Sequence, residues 1–336
     1  MYKSKKTSLK QYNSFGVDVT STDFKIAKSK QELKSFLKEK ENPIILGGGT
    51  NILFKKNIDR SIIKVEIKGI EITNVTENYV YINVGAGENW NDLVLWSLKK
   101  NYGGLENLSL IPGNVGSAPI QNIGAYGAEL KDVFVSCRTI EVKNGLSRMF
   151  SNAQCKFSYR SSIFKEEFKN KYVICDVNFR LTKRNHNINF SYSALKNILH
   201  ENKITNPSIE DISKYVIKIR SHKLPDPRLV GNCGSFFKNP IININNYKEL
   251  KKTFEELPFY KISNDKVKIP AAWLIEKCGF KGKKFGNTGT FMSHALVIIN
   301  HGNATGMEIY EFSQKIKRSV LRKFNILLEE EVNIIG

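Results

Sequence analysis

Apolar residues recur in short blocks whose spacing switches between helical and extended periods. Ser29-Lys30-Gln31-Glu32 has the form of a capping box, and Leu33, Phe36 and Leu37 follow at helical spacing until Asn42-Pro43 closes the element. Ile44–Leu46, Ile62–Ile67 and Val80–Val84 read as strands, and Trp90–Lys99 reads as a helix closed by Gly103-Gly104. Val133–Val142 and Leu146–Phe150 form a hairpin pattern across Asn144-Gly145, and Val173, Cys175, Val177, Phe179 and Leu181 alternate as a further strand. From about 183 to 210 the chain turns polar, with 183–187 as an exposed loop ahead of Tyr192. Beyond it the pattern predicts a helix opened by Ser208…Asp211, a helix near Tyr247–Leu257, and a helix over Ala271–Cys278 entered through Pro270. A strand over Leu296–Asn300 and a long helix capped by Thr305…Glu308 complete the set, with Ile309, Phe312, Ile316, Val320 and Phe324 on the core face of that helix. Strands mixed with irregularly placed helices predict an α+β chain and not a regular βαβ winding.

Two stretches interrupt this patterning. Leu110–Gly127 has no charged residue, holds Gly113, Gly116, Gly124 and Gly127 together with Pro112 and Pro119, and fits neither a plain helix nor a strand. In a lysine-rich chain, an uncharged run of this length implies burial, and buried loop backbone needs hydrogen-bond partners that a bound cofactor can provide. The competing reading is a surface loop of turn residues. Gly47-Gly48-Gly49-Thr50-Asn51, directly after the strand Ile44–Leu46, has the backbone N–H groups, hydroxyl and amide to hold a pyrophosphate. It lacks the Gly-Lys-Ser/Thr ending of a Walker A loop, and Ile52 occupies the place of the third glycine of a dinucleotide fingerprint. A structural glycine turn between two strands would have the same sequence.

Composition narrows the field. The chain has 336 residues, room for two or three domains, and an excess of 52 Lys+Arg over 32 Asp+Glu that gives a net charge of +20. A basic balance suits nucleic acid, anionic surfaces or anionic small molecules, but the lysines are scattered in short pairs and no zinc-finger or RNA-recognition signature accompanies them. Nucleic acid is therefore not an expected partner. The five cysteines form no Cys-x-x-Cys and the five histidines show no metal spacing, so no disulfide frame and no metal are expected. Residues 1 to 15 lack an apolar leader core and no run is long enough for a membrane span, so the expectation is a cytoplasmic protein.

Candidate chemistry sits at three places. Gly231–Pro240 carries Cys233 and Ser235 as potential nucleophiles or acids beside Phe236 and Phe237, outside any Gly-x-Ser-x-Gly motif. Glu329-Glu330-Glu331 lies in an apolar, strand-like tail where alternation puts Glu329 and Glu331 on one face and Glu330 on the other. Arg160, in Tyr159-Arg160-Ser161-Ser162, offers a planar fork for a carboxylate, or a surface ion pair.

Five motifs, in order, carry a resemblance over nearly the whole chain. They are Gly-Gly-Gly-Thr-Asn at 47–51, the run from Ile111 to Gly127, Tyr-Arg-Ser-Ser at 159–162, Lys-Leu-Pro-Asp-Pro at 223–227 and Gly-Ser-Phe-Phe-Lys-Asn-Pro at 234–240. Together they resemble the UDP-N-acetylenolpyruvoylglucosamine reductases, flavoenzymes that make UDP-N-acetylmuramate for peptidoglycan. The resemblance implies a two-lobed FAD-binding domain of the vanillyl-alcohol-oxidase type over 14–183, with lobes of about 14–70 and 71–183 and a C-terminal strand within 326–336 returning to it. A connecting loop and helix over 184–218 and an α+β substrate-binding domain over 219–325 follow. It also implies the longer form of the family, with a tyrosine-bearing loop, acting as a monomer. FAD is expected to be non-covalent. The first histidine is His186, so the flavin half offers no imidazole for attachment and leaves only Cys137, Cys155 or Cys175 as other routes.

Carried over by motif, the resemblance implies that Gly47, Gly48, Gly49, Thr50, Asn51, Ile111, Pro112, Gly113, Gly116, Ser117, Ile120, Gln121, Asn122, Gly124, Tyr126 and Arg220 hold FAD. Tyr192, Lys223, Lys238, Asn239 and His294 would hold the UDP-sugar enolpyruvyl ether, with NADPH as the electron donor. Ser235 is implied as proton donor, with Arg160 and Glu331 stabilising negative charge on the substrate. Gly48, Thr50, Cys233, His294 and Glu330 depart from the family pattern, His294 standing where glutamine is common and Glu330 where proline is. The rival within flavoproteins is an FAD-dependent alcohol or sugar oxidase, which need not keep Arg160, the Gly-Ser-Phe-Phe segment and the terminal glutamate together.

Overall fold

A computed structural model describes residues 6–336; the first five, part of the segment expected to carry no leader, lie outside the described residues. The described residues divide into two compact units, the first comprising 6–7, 21–48 and 59–220, the second 8–20, 49–58 and 221–336.

In the first unit, Phe24–Ala27 and Ile44–Leu46 flank Ile62–Val65 in a three-stranded parallel sheet. Parallel strands need a crossover, and the helix Lys30–Glu39 provides one. Its N-cap Ser29 accepts the Glu32 N–H, and Leu33 and Leu37 enter a core with Ile63, Val65, Val173 and Cys175. A five-stranded antiparallel sheet follows, ordered Ser147–Ser151, Phe134–Glu141, Tyr172–Thr182, Tyr79–Gly85, Ile70–Val75. Near its start the strand Tyr172–Thr182 is buried on both faces, giving Val173 and Cys175 to the first core and Ile174, Val177, Phe179 and Leu181 to a second. That second core receives Trp90, Leu93 and Val94 from the helix Trp90–Lys99, whose bounds are those expected from sequence.

The polar stretch after 183 holds an element that the pattern does not announce, a helix over Ser193–Glu201. Leu195 and Leu199 pack it against Ile212, Tyr215, Val216 and Ile219 of the helix Ile209–Lys223.

In the second unit, Gly231–Ser235, His294–Asn300, Thr288–Phe291 and Lys284–Phe285 form a four-stranded antiparallel sheet. The helix Gly306–Phe324 starts at a complete capping box between Thr305 and Glu308, worth about 1 kcal/mol, and buries the expected five residues, Ile309, Phe312, Ile316, Val320 and Phe324. The C-terminal strand Asn333–Ile335 pairs in parallel with Ile52–Phe54. That pairing, with hydrogen bonds from Ser14 N–H to the Gly49 carbonyl and from Asn232 N–H to the Ser14 carbonyl, groups 14–20 and 49–58 with the second unit. The expected boundary at 183 had both segments in the first domain; the division found here is discontinuous because these pairings join residues remote in sequence.

Candidate functional site

The glycine run is a wall of the first unit. Trp90 N–H bonds the Gly113 carbonyl, Val115 N–H the Glu88 carbonyl and Gly116 N–H the Ala86 carbonyl, while Ser117 and Ala118 close a short 3-10 turn onto Asn114 and Val115. The central part of this backbone thus finds its partners within the chain. Glycine is required where the wall meets the 47–51 loop: a Cβ on Gly48 would lie 2.9 Å from the Gly113 Cα and from the Asn114 Oδ1. A Cβ on Gly116 would lie 2.5 Å from that of Ala86. Val115 and Ala118 face the core, whereas Pro112 and Ser117 are exposed and Ile111, Ile120, Gln121, Gly124 and Tyr126 are half-buried.

The 47–51 loop has donors to offer. Among the described residues no backbone carbonyl takes the N–H of Gly48, Gly49 or Thr50. Gly49, at φ +66°, is closed over by the Tyr12 carbonyl, 1.9 Å from where a Cβ would stand. The side-chain amide of Asn51 donates to the Glu331 carbonyl at 3.1 Å.

The turn bearing Arg160 is fastened to the same wall. Ser162 Oγ donates to the Ile120 carbonyl at 2.7 Å and the Asn122 amide to the Ser158 carbonyl at 3.1 Å. Arg160 itself, at φ +53°, donates from Nη2 to the Gly124 carbonyl at 2.7 Å. Arg220, on the helix Ile209–Lys223, completes this side of the wall. Its Nε is buried with no hydrogen-bond partner among the described residues, and its pKa is pulled down by burial and by the Arg160 charge against an opposing effect of Tyr126. Tyr126 meets Tyr192 edge-to-face with ring centroids 5.2 Å apart. Tyr192, expected on a loop, is the N-cap residue of the helix Ser193–Glu201.

In the second unit, a register shift between Asn232 and Ser235, with Gly234 at φ +69°, leaves Cys233 and Gly234 outside the regular pairing and brings Ser235 opposite Val297. The tail then pairs alongside: Glu331 N–H bonds the Phe236 carbonyl at 2.8 Å and Lys238 N–H the Glu329 carbonyl at 2.9 Å. Ser235 and Glu331, remote in sequence, thus sit on adjoining rungs above the fully buried Phe236 and Phe237. The three glutamates separate by environment. Glu329 is exposed and ion-paired with Lys238 at 2.9 Å, Glu330 is bound by Lys317 at 2.8 Å and by Gln314 at 2.9 Å, and Glu331 is half-buried beside Phe236. Simple alternation misses this because only Asn333–Ile335 forms a regular strand.

Cys233 is removed from the chemistry. Burial pushes its thiol up to about 12 despite contacts with Ser14 Oγ and the Ile52 carbonyl, so no thiolate forms near neutrality. Asn239 accepts the Ala271 N–H at 2.9 Å and so caps the helix Ala271–Lys277. His294 Nδ1 is buried without a partner among the described residues, and burial, Lys223 and Lys281 all lower its pKa, keeping the ring neutral at pH 7. Lys281 escaped the sequence reading because it is one of many scattered lysines. Among the described residues no cluster of three metal-ligating side chains occurs, and no helix is long and apolar enough to cross a membrane.

N–H groups on a glycine loop and a buried guanidinium Nε, both without an acceptor among the described residues, fit a bound anionic cofactor. Residues 25–148 match the family described as FAD binding domain, which makes this a flavoprotein of α+β architecture. Residues 226–335 match UDP-N-acetylenolpyruvoylglucosamine reductase, C-terminal domain. Relatives bearing the name UDP-N-acetylenolpyruvoylglucosamine reductase include one from Flavobacterium johnsoniae, 49% identical over 98% of both chains, and one from Amoebophilus asiaticus, 44% identical over 97% of both. The chain belongs to the UDP-N-acetylenolpyruvoylglucosamine reductase family. A crystal structure of the Thermus caldophilus member shares the fold, with a TM-score of 0.69 at 20% identity, over 99% of this chain and 98% of that one.

Proposed function

We infer that this protein reduces UDP-N-acetylglucosamine enolpyruvate to UDP-N-acetylmuramate with NADPH, through FAD, in the synthesis of peptidoglycan precursors. The observation that carries the reading is the full-length match to reductases of that name, at 49% identity over 98% of the chain. The protein works as a monomer in the cytoplasm.

FAD is held by the 47–51 loop, the Ile111–Tyr126 wall and Arg220. When bound, it relays two electrons from NADPH to the enolpyruvyl double bond. Arg160, fastened to the wall at the Gly124 carbonyl, stabilises the charge that develops on the substrate carboxylate. Ser235 Oγ, which has no hydrogen-bond partner among the described residues, gives its proton to the substrate carbon next to that carboxylate. A hydroxyl suffices as the acid because a carbanion is a much stronger base. Glu331, set beside Phe236 by the tail pairing, is the acidic partner that with Arg160 stabilises that species. Tyr192, Lys223, Lys238, Asn239 and His294 bind the nucleotide sugar, the lysines through charge-assisted bonds to its diphosphate. Mass spectrometry of an anaerobic reaction tests the assignment. The nucleotide should gain two hydrogens as NADPH is consumed, whereas NADPH oxidation that needs oxygen and leaves the nucleotide unchanged would favour the oxidase.

A further inference from the structure

Asn107 is buried, 3% exposed, in the 3-10 turn Glu106–Leu108. That turn is anchored in the core by Leu108, which is fully buried and whose carbonyl accepts the Trp90 indole N–H at 2.9 Å. From this fixed point the Asn107 amide donates twice, to the Tyr126 carbonyl at 2.8 Å and to the Asn189 carbonyl at 2.7 Å. Asn189 answers with its own amide on the Gly127 carbonyl at 2.9 Å, while its Oδ1 accepts the N–H of Ser191 at 3.1 Å and the hydroxyl of Ser191 at 2.8 Å. Two asparagines therefore lace the Tyr126-Gly127 corner of the wall to the segment that delivers Tyr192.

The corner needs such a clasp. Tyr126 sits at φ +48°, a conformation that bulky L-residues adopt only when their surroundings impose it. Gly127 follows at φ +87°, with the Asn189 amide 3.1 Å from where a Cβ would stand. The edge-to-face contact of Tyr126 with Tyr192, which is 40% exposed, ends the chain of contacts. Nothing in the local sequence announces Asn107. Its two donors act by bonding the Tyr126 and Asn189 carbonyls in a part-buried setting, where such bonds hold a conformation firmly.

We propose that Asn107 is a positioning residue for the nucleotide-sugar subsite, holding the Tyr126 corner and the Asn189–Tyr192 segment so that the Tyr192 ring is presented at a fixed place. The inference rests on the reading of Tyr192 as a substrate contact. Asn107→Asp keeps the shape and removes both donors, setting carboxylate oxygens against two carbonyls. In the holoenzyme, the variant should keep its flavin content and its rate of flavin reduction by NADPH. Its Kd for UDP-N-acetylmuramate, measured by calorimetry on the oxidised protein, and its KM for the enolpyruvyl nucleotide should both rise about tenfold, with kcat changing much less. Combined with Tyr192→Ala, the two effects should fall well short of additive, because Asn107 acts through Tyr192. An unchanged Kd in Asn107→Asp, full additivity, or an equal loss in the NADPH step would overturn the proposal. Tyr192→Ala alone separates the two ideas: no change in Kd there removes the subsite reading, while a rise there with none in Asn107→Asp removes only the clasp. If Asn107→Asp does not accumulate as a flavoprotein, Asn189→Ala, which cuts the second strand of the clasp from the surface side, carries the same expectations and the same refutations.

Discussion

The glycine wall at 110–127 and the turn at 231–240 both bear glycine at positive φ and half-exposed polar groups, yet the proposed function uses them by opposite means. In the wall the material proposed to hold FAD is backbone: Gly113, Val115 and Gly116 are locked by hydrogen bonds to residues 86–90, and close approach to Gly48 leaves no room for a side chain. In the turn the material proposed to act is side chains: Ser235 pairs opposite Val297 just after the register shift, and Glu331 is brought to the neighbouring rung by a tail that pairs with Phe236 and Lys238. A surface built from main chain binds a cofactor without chemistry of its own, whereas a surface built from side chains can move a proton. Substitutions in the two regions should therefore fail in different ways.

The largest difference is expected at Ser235. Ser235→Ala should keep its flavin and its reduction by NADPH while flavin reoxidation by the enolpyruvyl nucleotide slows by about 10²–10⁴-fold. Stopped-flow absorbance resolves the two halves, and normal reoxidation would take Ser235 out of the role. Gly48→Ala addresses the wall. A methyl 2.9 Å from the Gly113 Cα forces the two loops apart, so thermal unfolding should reveal a loss of about 1–3 kcal/mol together with poor flavin retention. An unchanged Tm with full flavin content would show that the loops yield.

Smaller effects sharpen the contrast. Tyr192→Phe should raise the KM for the nucleotide sugar roughly three- to tenfold and leave flavin content alone; steady-state kinetics with an unchanged KM would count against the contact. Glu330 tests the support of the tail. Burial raises its pKa, but the bonds from Lys317 and Gln314 outweigh that, leaving it below the ordinary 4.5. A depressed carboxylate pKa gives stability that is present above the unfolded value and is lost as pH falls through the folded one. Wild type should thus unfold at a higher temperature than Glu330→Gln at pH 7, by about 1 kcal/mol or less for this partly exposed pair, and the gap should close below about pH 4. A gap independent of pH would assign the effect to packing.

The sequence was most legible where function is local. The helix Trp90–Lys99 and the core face of Gly306–Phe324 follow from periodicity, and the glycine wall declares itself by its lack of charge. The helix Ser193–Glu201 stayed hidden because it is short and buries only Leu195 and Leu199 in a polar stretch. Gly231–Ser235 did not read as a strand, since glycine and asparagine carry no alternating signal. The site divides in the same way. Arg160 belongs to a local motif tied to its wall, but the meeting of Ser235 with Glu331 depends on a long-range pairing that no window of sequence contains, and Asn107 is a single polar residue in a buried turn. For these, the motif resemblance supplied what periodicity lacked.

The central claim is that a main-chain wall holds a flavin whose electrons go to an enolpyruvyl nucleotide. One anaerobic visible titration of the purified protein tests it. The account predicts a yellow protein that bleaches with one equivalent of NADPH and recovers its colour on addition of UDP-N-acetylglucosamine enolpyruvate without oxygen. A colourless protein that takes up no FAD, or a bleached flavin that recovers only when air is admitted, would contradict it.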